Sequence, residues 1–225
     1  MNEWQWNEFQ QLGTDYADVG EVAKYDVRMR ELRDVDAENR AICGMIELGP
    51  ESTVLEIGTG TGAFARYAAA RCRKVTALDV SATMLEYARG RAAAEDVRNV
   101  EFKSGSFLTF AAEPGSLDAV VSGLAFHHLP DVWKMVALNR IFAALKPGGR
   151  FALLDVVFTG CSDEYFAGIV ASGASSRANV ARHIAQELST FDWILEAMFG
   201  RAGFTIESKS YENGYIATYC VRKPL

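Results

Sequence analysis

Val54-Leu55-Glu56-Ile57-Gly58-Thr59-Gly60-Thr61-Gly62-Ala63-Phe64 is a short aliphatic run that breaks into three alternate glycines and resumes as an Ala-rich stretch. The β-branched and aliphatic residues of 53–57 predict a strand. The glycines let the chain turn sharply and leave bare backbone against which a ligand can lie. Residues 64–72 then predict a helix, whose first N–H groups lack internal partners. Such a turn is common to many nucleotide-binding folds, and Gly58-x-Gly60-x-x-Ala63 also fits a loosened dinucleotide fingerprint.

The same rhythm continues outward. Strands are predicted at 74–78, 100–103, 117–122 and 151–157, with helices at 81–94 (Ser81 as N-cap) and 131–145, the latter stopped by Pro147-Gly148-Gly149. Strands alternating with helices imply parallel pairing through right-handed crossovers, so 50–157 reads as a doubly wound α/β sheet. Ahead of it, 21–48 reads as one or two helices with Ile42, Met45 and Ile46 on one face. Residues 1–20 mix polar and aromatic side chains (Trp4, Trp6, Phe9, Tyr16) and suit an arm or flap. Behind the core, 161–187 reads as helical and 190–202 as a further helix. Strands at 204–208 and 215–221 flank Asn213-Gly214, a hairpin signal that makes them antiparallel.

With 225 residues, 49% hydrophobic and 23% charged, the chain can bury a large core without staples. A net charge of -6 with no Lys/Arg block argues against nucleic acid or an anionic membrane as partner. The four cysteines (43, 72, 161, 220) form neither a C-x-x-C motif nor a zinc spacing with histidine. They read as buried, reduced thiols of a cytoplasmic protein, and no metal site is expected. Residues 1–10 do not read as a signal peptide, and no apolar run approaches the ~20 residues of a bilayer span.

Three features sharpen the glycine turn. Asp79 closes the second strand, 17 residues after Gly62, where a carboxylate can accept from both hydroxyls of an adenosine ribose. Glu56 stands inside the first strand, where a dehydrogenase turn needs no acid but a ligand with a cationic amino group would. Leu117-Asp118-Ala119-Val120-Val121, His127-His128-Leu129-Pro130-Asp131 and Leu145-Lys146-Pro147-Gly148-Gly149-Arg150 complete the set.

With these motifs, residues 53–157 resemble the class I S-adenosylmethionine-dependent methyltransferases, in their small branch that carries the His-His-Leu-Pro-Asp segment. The resemblance implies a Rossmann-like, seven-stranded sheet of order 3-2-1-4-5-7-6 with strand 7 antiparallel. It implies one methyltransferase domain over 1–225: a helical flap at 1–48, a cofactor-binding core at 50–157 and a substrate lid at 158–193. It also implies S-adenosylmethionine as cofactor. Gly58, Thr59, Gly60 and Gly62 would line its methionine and ribose side. Glu56 would meet the amino group and Asp79 the ribose, while Val80 and Met84 would pack on adenine. Ser122, Gly123 and Leu124 would face the methionine and methyl group. At Gly105-Ser106-Phe107 the family usually has Gly-Asp, whose acid takes the adenine amino hydrogen; Ser106 is a departure that should weaken this contact. Tyr25, in Lys24-Tyr25-Asp26, resembles a ring of the family's flap that covers the cofactor, and equally suits a plain helix surface.

His127 and His128 lie in the loop after the fourth strand. One could take a proton from an attacking hydroxyl or amine. The plainer reading is that both order the loop. Arg28 and Arg30 read as a solvated helix face or as a carboxylate contact. The 158–193 segment carries Phe158, Tyr165, Phe166, Arg177, Arg182, His183 and Trp193, either as an aromatic and basic cover for a small acceptor or as a helical hairpin packed on the sheet. No Asn/Asp-Pro-Pro-Tyr/Phe segment follows the fourth strand, which disfavours base- and glutamine-methylating enzymes. The expected activity is direct in-line methyl transfer to a small molecule. The alternatives are a non-catalytic cofactor-binding module and a nicotinamide oxidoreductase.

Overall fold

β1 (Thr53–Ile57) sends Leu55 and Ile57 to one face and Val54 to the other, and all three are buried. A strand apolar on both faces has to be covered on both, and helices supply the cover. The structure, a computed structural model, describes residues 3–10 and 19–225, without the side chains at 19, 21, 23, 28 and 32. Tyr16 of the expected arm and the Arg28 side chain lie outside the described residues.

β1 pairs in parallel with β2 (Lys74–Asp79) and β4 (Leu117–Gly123). β2 continues to β3 (Val100–Ser104), and β4 to β5 (Leu145–Phe158). β8 (Ile216–Arg222) lies antiparallel to both β5 and β7 (Thr205–Glu212). The order is β3-β2-β1-β4-β5-β8-β7, with the two-residue β6 (Thr190–Phe191) beside the end of β5. With β6 set aside this is the expected order, its seventh strand antiparallel. Asn213 and Gly214 both adopt left-handed φ, 54° and 76°, as the hairpin signal requires.

α1 (Val19–Leu32) and α2 (Val35–Met45) precede the sheet. α3 (Ala63–Ala69) and α4 (Ala82–Ala94) follow β1 and β2, and the Ser81 hydroxyl caps α4 by accepting from Met84 N at 3.2 Å. α5 (Asp131–Ala144) follows a 3-10 turn at Phe126–His128. α6 (Asp163–Ala171), α7 (Arg177–Ala185) and α8 (Asp192–Ala202) complete the chain's helices among the described residues.

Two expected boundaries move. β5 begins at Leu145, not at 151. Leu117 pairs with Leu145 and Ala119 with Arg150, so a bulge absorbs Lys146–Gly149 and the proline-glycine segment enters the sheet. The last long helix starts at Asp192 because Thr190 and Phe191 pair with Val157 and Phe158.

One face of the sheet buries Phe126, Leu138, Phe151 and Tyr219, the other Phe64, Ala68, Val75 and Val121. A third cluster of Val156, Phe158, Ile169, Val180 and Tyr215 seats α6 and α7. Cys43, Cys72 and Cys220 are buried as expected, but Cys161 is exposed, because it sits in the loop before α6 rather than on an inward face. No helix among the described residues is long and apolar enough to cross a membrane.

Candidate active site at the ends of strands one and four

β2 and β3 lie on one side of β1, β4 and β5 on the other. At such a reversal the loops leaving the carboxyl ends diverge and open a crevice. The glycine turn forms its floor. Gly58 N and Thr59 N both donate to Leu78 O, at 2.8 and 2.9 Å, which folds the turn onto β2. Gly60 has φ +52°, and a Cβ built there would meet no atom within 4 Å, so any side chain would enter the open crevice. Gly62 serves another purpose: its Cβ would press on the Phe102 ring at 2.9 Å and on Ala88 at 3.1 Å. It packs α3 against β3 and α4 and does not line the cavity.

The two acids stand where the sequence puts them. Asp79 accepts from Gly60 N at 2.7 Å and from Ser81 N at 2.8 Å, and burial raises its pKa. Glu56 is fully enclosed and accepts from Thr59 Oγ1 at 2.6 Å. Burial, with the Asp79 charge adding to it, pushes the Glu56 carboxyl up to about 8. Arg66, whose charge acts on Glu56, directs its hydrogen bonds to Glu95 and to Thr61 O. Among the described residues no cation bonds the buried Glu56 carboxyl, which suits an incoming ammonium group.

The far wall holds what the sequence did not show. Glu8 of the N-terminal arm accepts from Ser106 Oγ at 2.5 Å, Phe107 N at 3.0 Å and Leu108 N at 2.9 Å. Burial nonetheless holds its pKa above the ordinary value. No motif spacing could pair it with Ser106, 98 residues away. The only hint is an acid among the aromatics of the arm, where Trp6 packs on the core.

Of the expected site residues, Tyr25, Gly58, Gly60, Asp79, Val80, Met84, Gly105, Ser106, Phe107, Gly123, Leu124 and His128 line one cavity. Glu56 and Thr59 line an adjoining pocket that shares Tyr25, Gly58, Gly60, Gly123 and Leu124. Ser122 does not reach either: it is wholly buried within β4, and its hydroxyl has no partner. His127 also stays behind the wall. Its main-chain N and its Nδ1 both bond Asp155, at 2.9 and 2.5 Å. Asp155 is held below the ordinary carboxylate range: burial alone would raise it, but the His127 imidazole outweighs that. His128 faces the cavity, its ring 4.2 Å from that of His127, and burial pushes its pKa down to about 4. The aromatics after β5 pack on the sheet instead of on the crevice. Phe166 contacts both Phe158 and Tyr165, and Tyr165 donates to Gly214 O at 2.7 Å. Arg177 and Trp193 are exposed, and Arg182 pairs with Glu187 at 3.2 Å. On α1, Arg30 pairs with Asp36 in solvent.

Comparison with known proteins agrees with this geometry. Residues 54–149 match the family model of a methyltransferase domain. An uncharacterized methyltransferase of Bacillus mycoides is 30% identical over 153 residues, 68% of this chain and 69% of the relative. The chain belongs to the class I S-adenosylmethionine-dependent methyltransferases. Another uncharacterized methyltransferase, from Anoxybacillus flavithermus, is 28% identical over 201 residues, 87% of this chain and 92% of that one. The crystal structure of an S-adenosylmethionine-dependent methyltransferase from Aquifex aeolicus shares the fold, with TM-score 0.68, 19% identity, and coverage of 92% and 98% of the two chains. The enzyme is therefore a methyltransferase that uses S-adenosylmethionine. Its crevice fits that group: an open cradle at Gly60, an acid at Asp79 and a second acid at Glu56 lacking a bonded cation.

Proposed function

We propose that the enzyme methylates a small molecule, and that its cofactor lies along the glycine turn between Glu56 and Glu8. The observation that carries this reading is the pair of buried acids flanking bare backbone that a side chain at Gly60 would fill. Glu56 takes the amino group and ionises as it does so. Asp79, already fixed by Gly60 N and Ser81 N, directs its remaining acceptor capacity to the ribose hydroxyls. Val80 and Met84 pack on the adenine ring. Glu8 supplies the carboxylate that Ser106 lacks and accepts from the adenine amino group.

S-adenosylmethionine brings a methyl group made electrophilic by a sulfonium, with a thioether as leaving group. The protein's part is alignment and exclusion of water. Gly123 and Leu124 shape the wall at the end of β4, and His128 stands beside them as a neutral imidazole, which its lowered pKa makes a weak base and suits to shaping the methyl site. The region 1–48 acts as a flap on one domain spanning 1–225. Tyr25 lines the cavity, and Asp26 ties α1 to the turn by accepting from Thr61 Oγ1 at 2.6 Å. Residues 158–193 border the acceptor side as the lid, with His183 as the residue that reaches the histidine cluster. The acidic net charge of -6 favours a small acceptor over nucleic acid.

Calorimetric titration with S-adenosylhomocysteine and with NAD tests the cofactor assignment. Tight binding of the first and none of the second is expected, and the reverse would overturn it. Turnover on a panel of small thiols, phenols, amines and carboxylates tests the acceptor class. Saturable cofactor binding with methylation of none of them, but of a protein or RNA, would refute it.

A further inference from the structure

The chain has three histidines, and all three meet in one place. The His127 ring lies 4.2 Å from His128 and 5.2 Å from His183. His183, on α7, and Glu187, just after it, reach His127 across the gap between the lid and the 3-10 turn. His183 Nδ1 lies 2.8 Å from Glu187 Oε2, and His127 Nε2 lies 3.9 Å from the same oxygen. One ligand atom from each of His127, His183 and Glu187 falls within 4.8 Å of the others, and all three residues are buried.

Asp155 turns this from a cluster into a directed site. Its carboxylate is fixed by His127 N and Val156 N, at 2.9 and 2.7 Å, and its Oδ1 sits 2.5 Å from His127 Nδ1. A carboxylate there assigns the proton to Nδ1, which leaves the Nε2 lone pair aimed inward. That lone pair faces a second carboxylate oxygen. Arg182 Nε takes the other Glu187 oxygen, Oε1, at 3.2 Å, so Oε2 is the oxygen turned to the two imidazoles, and a cation among these three atoms would satisfy all of them. A carboxylate behind a histidine is also how proteins orient a metal-binding imidazole.

We propose that His127 Nε2, His183 and Glu187 bind one divalent transition-metal ion, of which Zn2+ is the best match, with Asp155 as the positioning residue behind His127. Two imidazoles and one carboxylate suit a borderline-soft ion rather than Mg2+ or Ca2+. Ligand atoms at ~2.0–2.1 Å from a tetrahedral ion stand about 3.3 Å apart. The 2.8 Å contact would open and the 3.9 Å contact would close by about half an ångström each, while the two imidazole nitrogens, within 4.8 Å of each other, would close by up to about 1.5 Å, shifts made by side-chain rotation. On binding, His183 would present the Nδ1 lone pair to the ion and carry its ring hydrogen on Nε2. Three protein ligands leave a fourth position open, and His128 separates the ion from the cofactor cavity by one ring. The ion would join the lid to the catalytic core beside the acceptor side. The site rests on none of the methyl-transfer assignments.

The test is titration of the full, chelator-treated chain with Zn2+ against a chromophoric chelator, and with Co2+ in the visible range, with no cofactor added. One equivalent of Zn2+ should bind, and Co2+ should give the intense absorption of a tetrahedral site. Glu187→Gln and His183→Ala should each weaken Zn2+ binding by about 100-fold, and Asp155→Asn by about 10-fold. Circular dichroism and S-adenosylhomocysteine titration of each variant establish that it is folded. If a variant does not fold, the Co2+ spectrum of the unmodified chain decides alone. Octahedral Co2+ or no stoichiometric binding would overturn the proposal, as would folded variants that bind as tightly as the parent; the buried network would then be an ion-pair lock between lid and core.

Discussion

Glu56 makes cofactor affinity depend on pH in a way that can be worked out beforehand. Its carboxyl is pushed up to about 8 by burial and by Asp79, so the ligand-free protein holds it protonated at pH 7. The cofactor's amino group has an ordinary pKa of about 7.7–8.0 and arrives as a cation between pH 6 and 7. Binding therefore selects the ionised carboxylate and expels its proton. The sign follows: affinity is reduced below the free pKa and recovers as pH rises toward it. Each pH unit below 8 costs about 1.4 kcal/mol, so affinity for S-adenosylhomocysteine should rise about tenfold from pH 6 to 7, rise less from 7 to 8, and then stop rising. At pH 7 about 0.9 proton should be released per ligand bound, the protonated fraction of a group titrating near 8. Calorimetry in two buffers of unequal ionisation enthalpy counts that proton directly. Glu56→Gln keeps the acceptor for Thr59 Oγ1 and cannot ionise. It should lose both the proton release and the pH slope, and bind about 1 kcal/mol more weakly at pH 7, the charge-assisted bond lost less the ionisation cost avoided. It should also melt higher than the parent at pH 8 without ligand, because no buried carboxylate then forms. Flat affinity between pH 6 and 7 with no proton released would refute the assignment of Glu56 to the amino group.

Gly60→Val should abolish S-adenosylhomocysteine binding while circular dichroism stays native, since its Cβ would enter the open crevice; a left-handed φ of +52° adds about 1–2 kcal/mol of strain, seen as a lower melting temperature. Asp79→Ala should weaken cofactor binding by about 1–3 kcal/mol and also destabilise the chain, because it orphans Gly60 N and Ser81 N; calorimetry and urea denaturation separate the two. Glu8→Gln should weaken S-adenosylhomocysteine by about 1–2 kcal/mol but spare or improve the inosine counterpart, whose ring oxygen can accept from the new amide; equal losses for both ligands would remove Glu8 from the adenine site. Lys134→Met should cost about 1–3 kcal/mol in urea denaturation, because the buried Nζ bridges Asp131 to Leu188 O at 2.9 and 2.6 Å and its loss leaves that carbonyl unsatisfied.

The sheet was legible because its strands are covered on both faces, and apolar runs bounded by glycines mark them in one dimension. The glycine turn, Glu56 and Asp79 were legible for a related reason: each is adjacent in sequence to the strand end that positions it. Boundaries failed where pairing overrode local signals. Pro147-Gly148-Gly149 reads as a helix stop, yet the bulge opposite Leu117 and Ala119 carries it into β5. The family resemblance makes Ser122, at the end of the predicted strand, a cofactor neighbour, but the strand runs on to Gly123 and keeps the hydroxyl inside. Gly62 reads like its two neighbours, though only a packed structure reveals that the Phe102 ring needs its missing Cβ.

Glu8 and the meeting of His183 and Glu187 with His127 escaped for a single reason: each brings in a segment outside the repeating strand-helix pattern, folded back over it. A serine at 106, where the family usually has an acid, weakens the adenine contact on a sequence reading. With Glu8 across the gap, that serine becomes a necessity. A carboxylate at 106 would stand about where the Glu8 carboxylate now accepts a hydroxyl hydrogen at 2.5 Å, and two anions so close, half-buried, would repel. Among the described residues, the carboxylate beside position 106 thus comes from residues 3–10 and not from position 106 itself. On the proposed reading, the acid at the adenine end is therefore held by Ser106, Phe107 and Leu108 rather than standing at position 106 itself. Gly60 and Asp79 are positioned by the sheet, whereas Glu8 reaches the same crevice from a segment 98 residues from Ser106, so only the first pair could be read from strand ends.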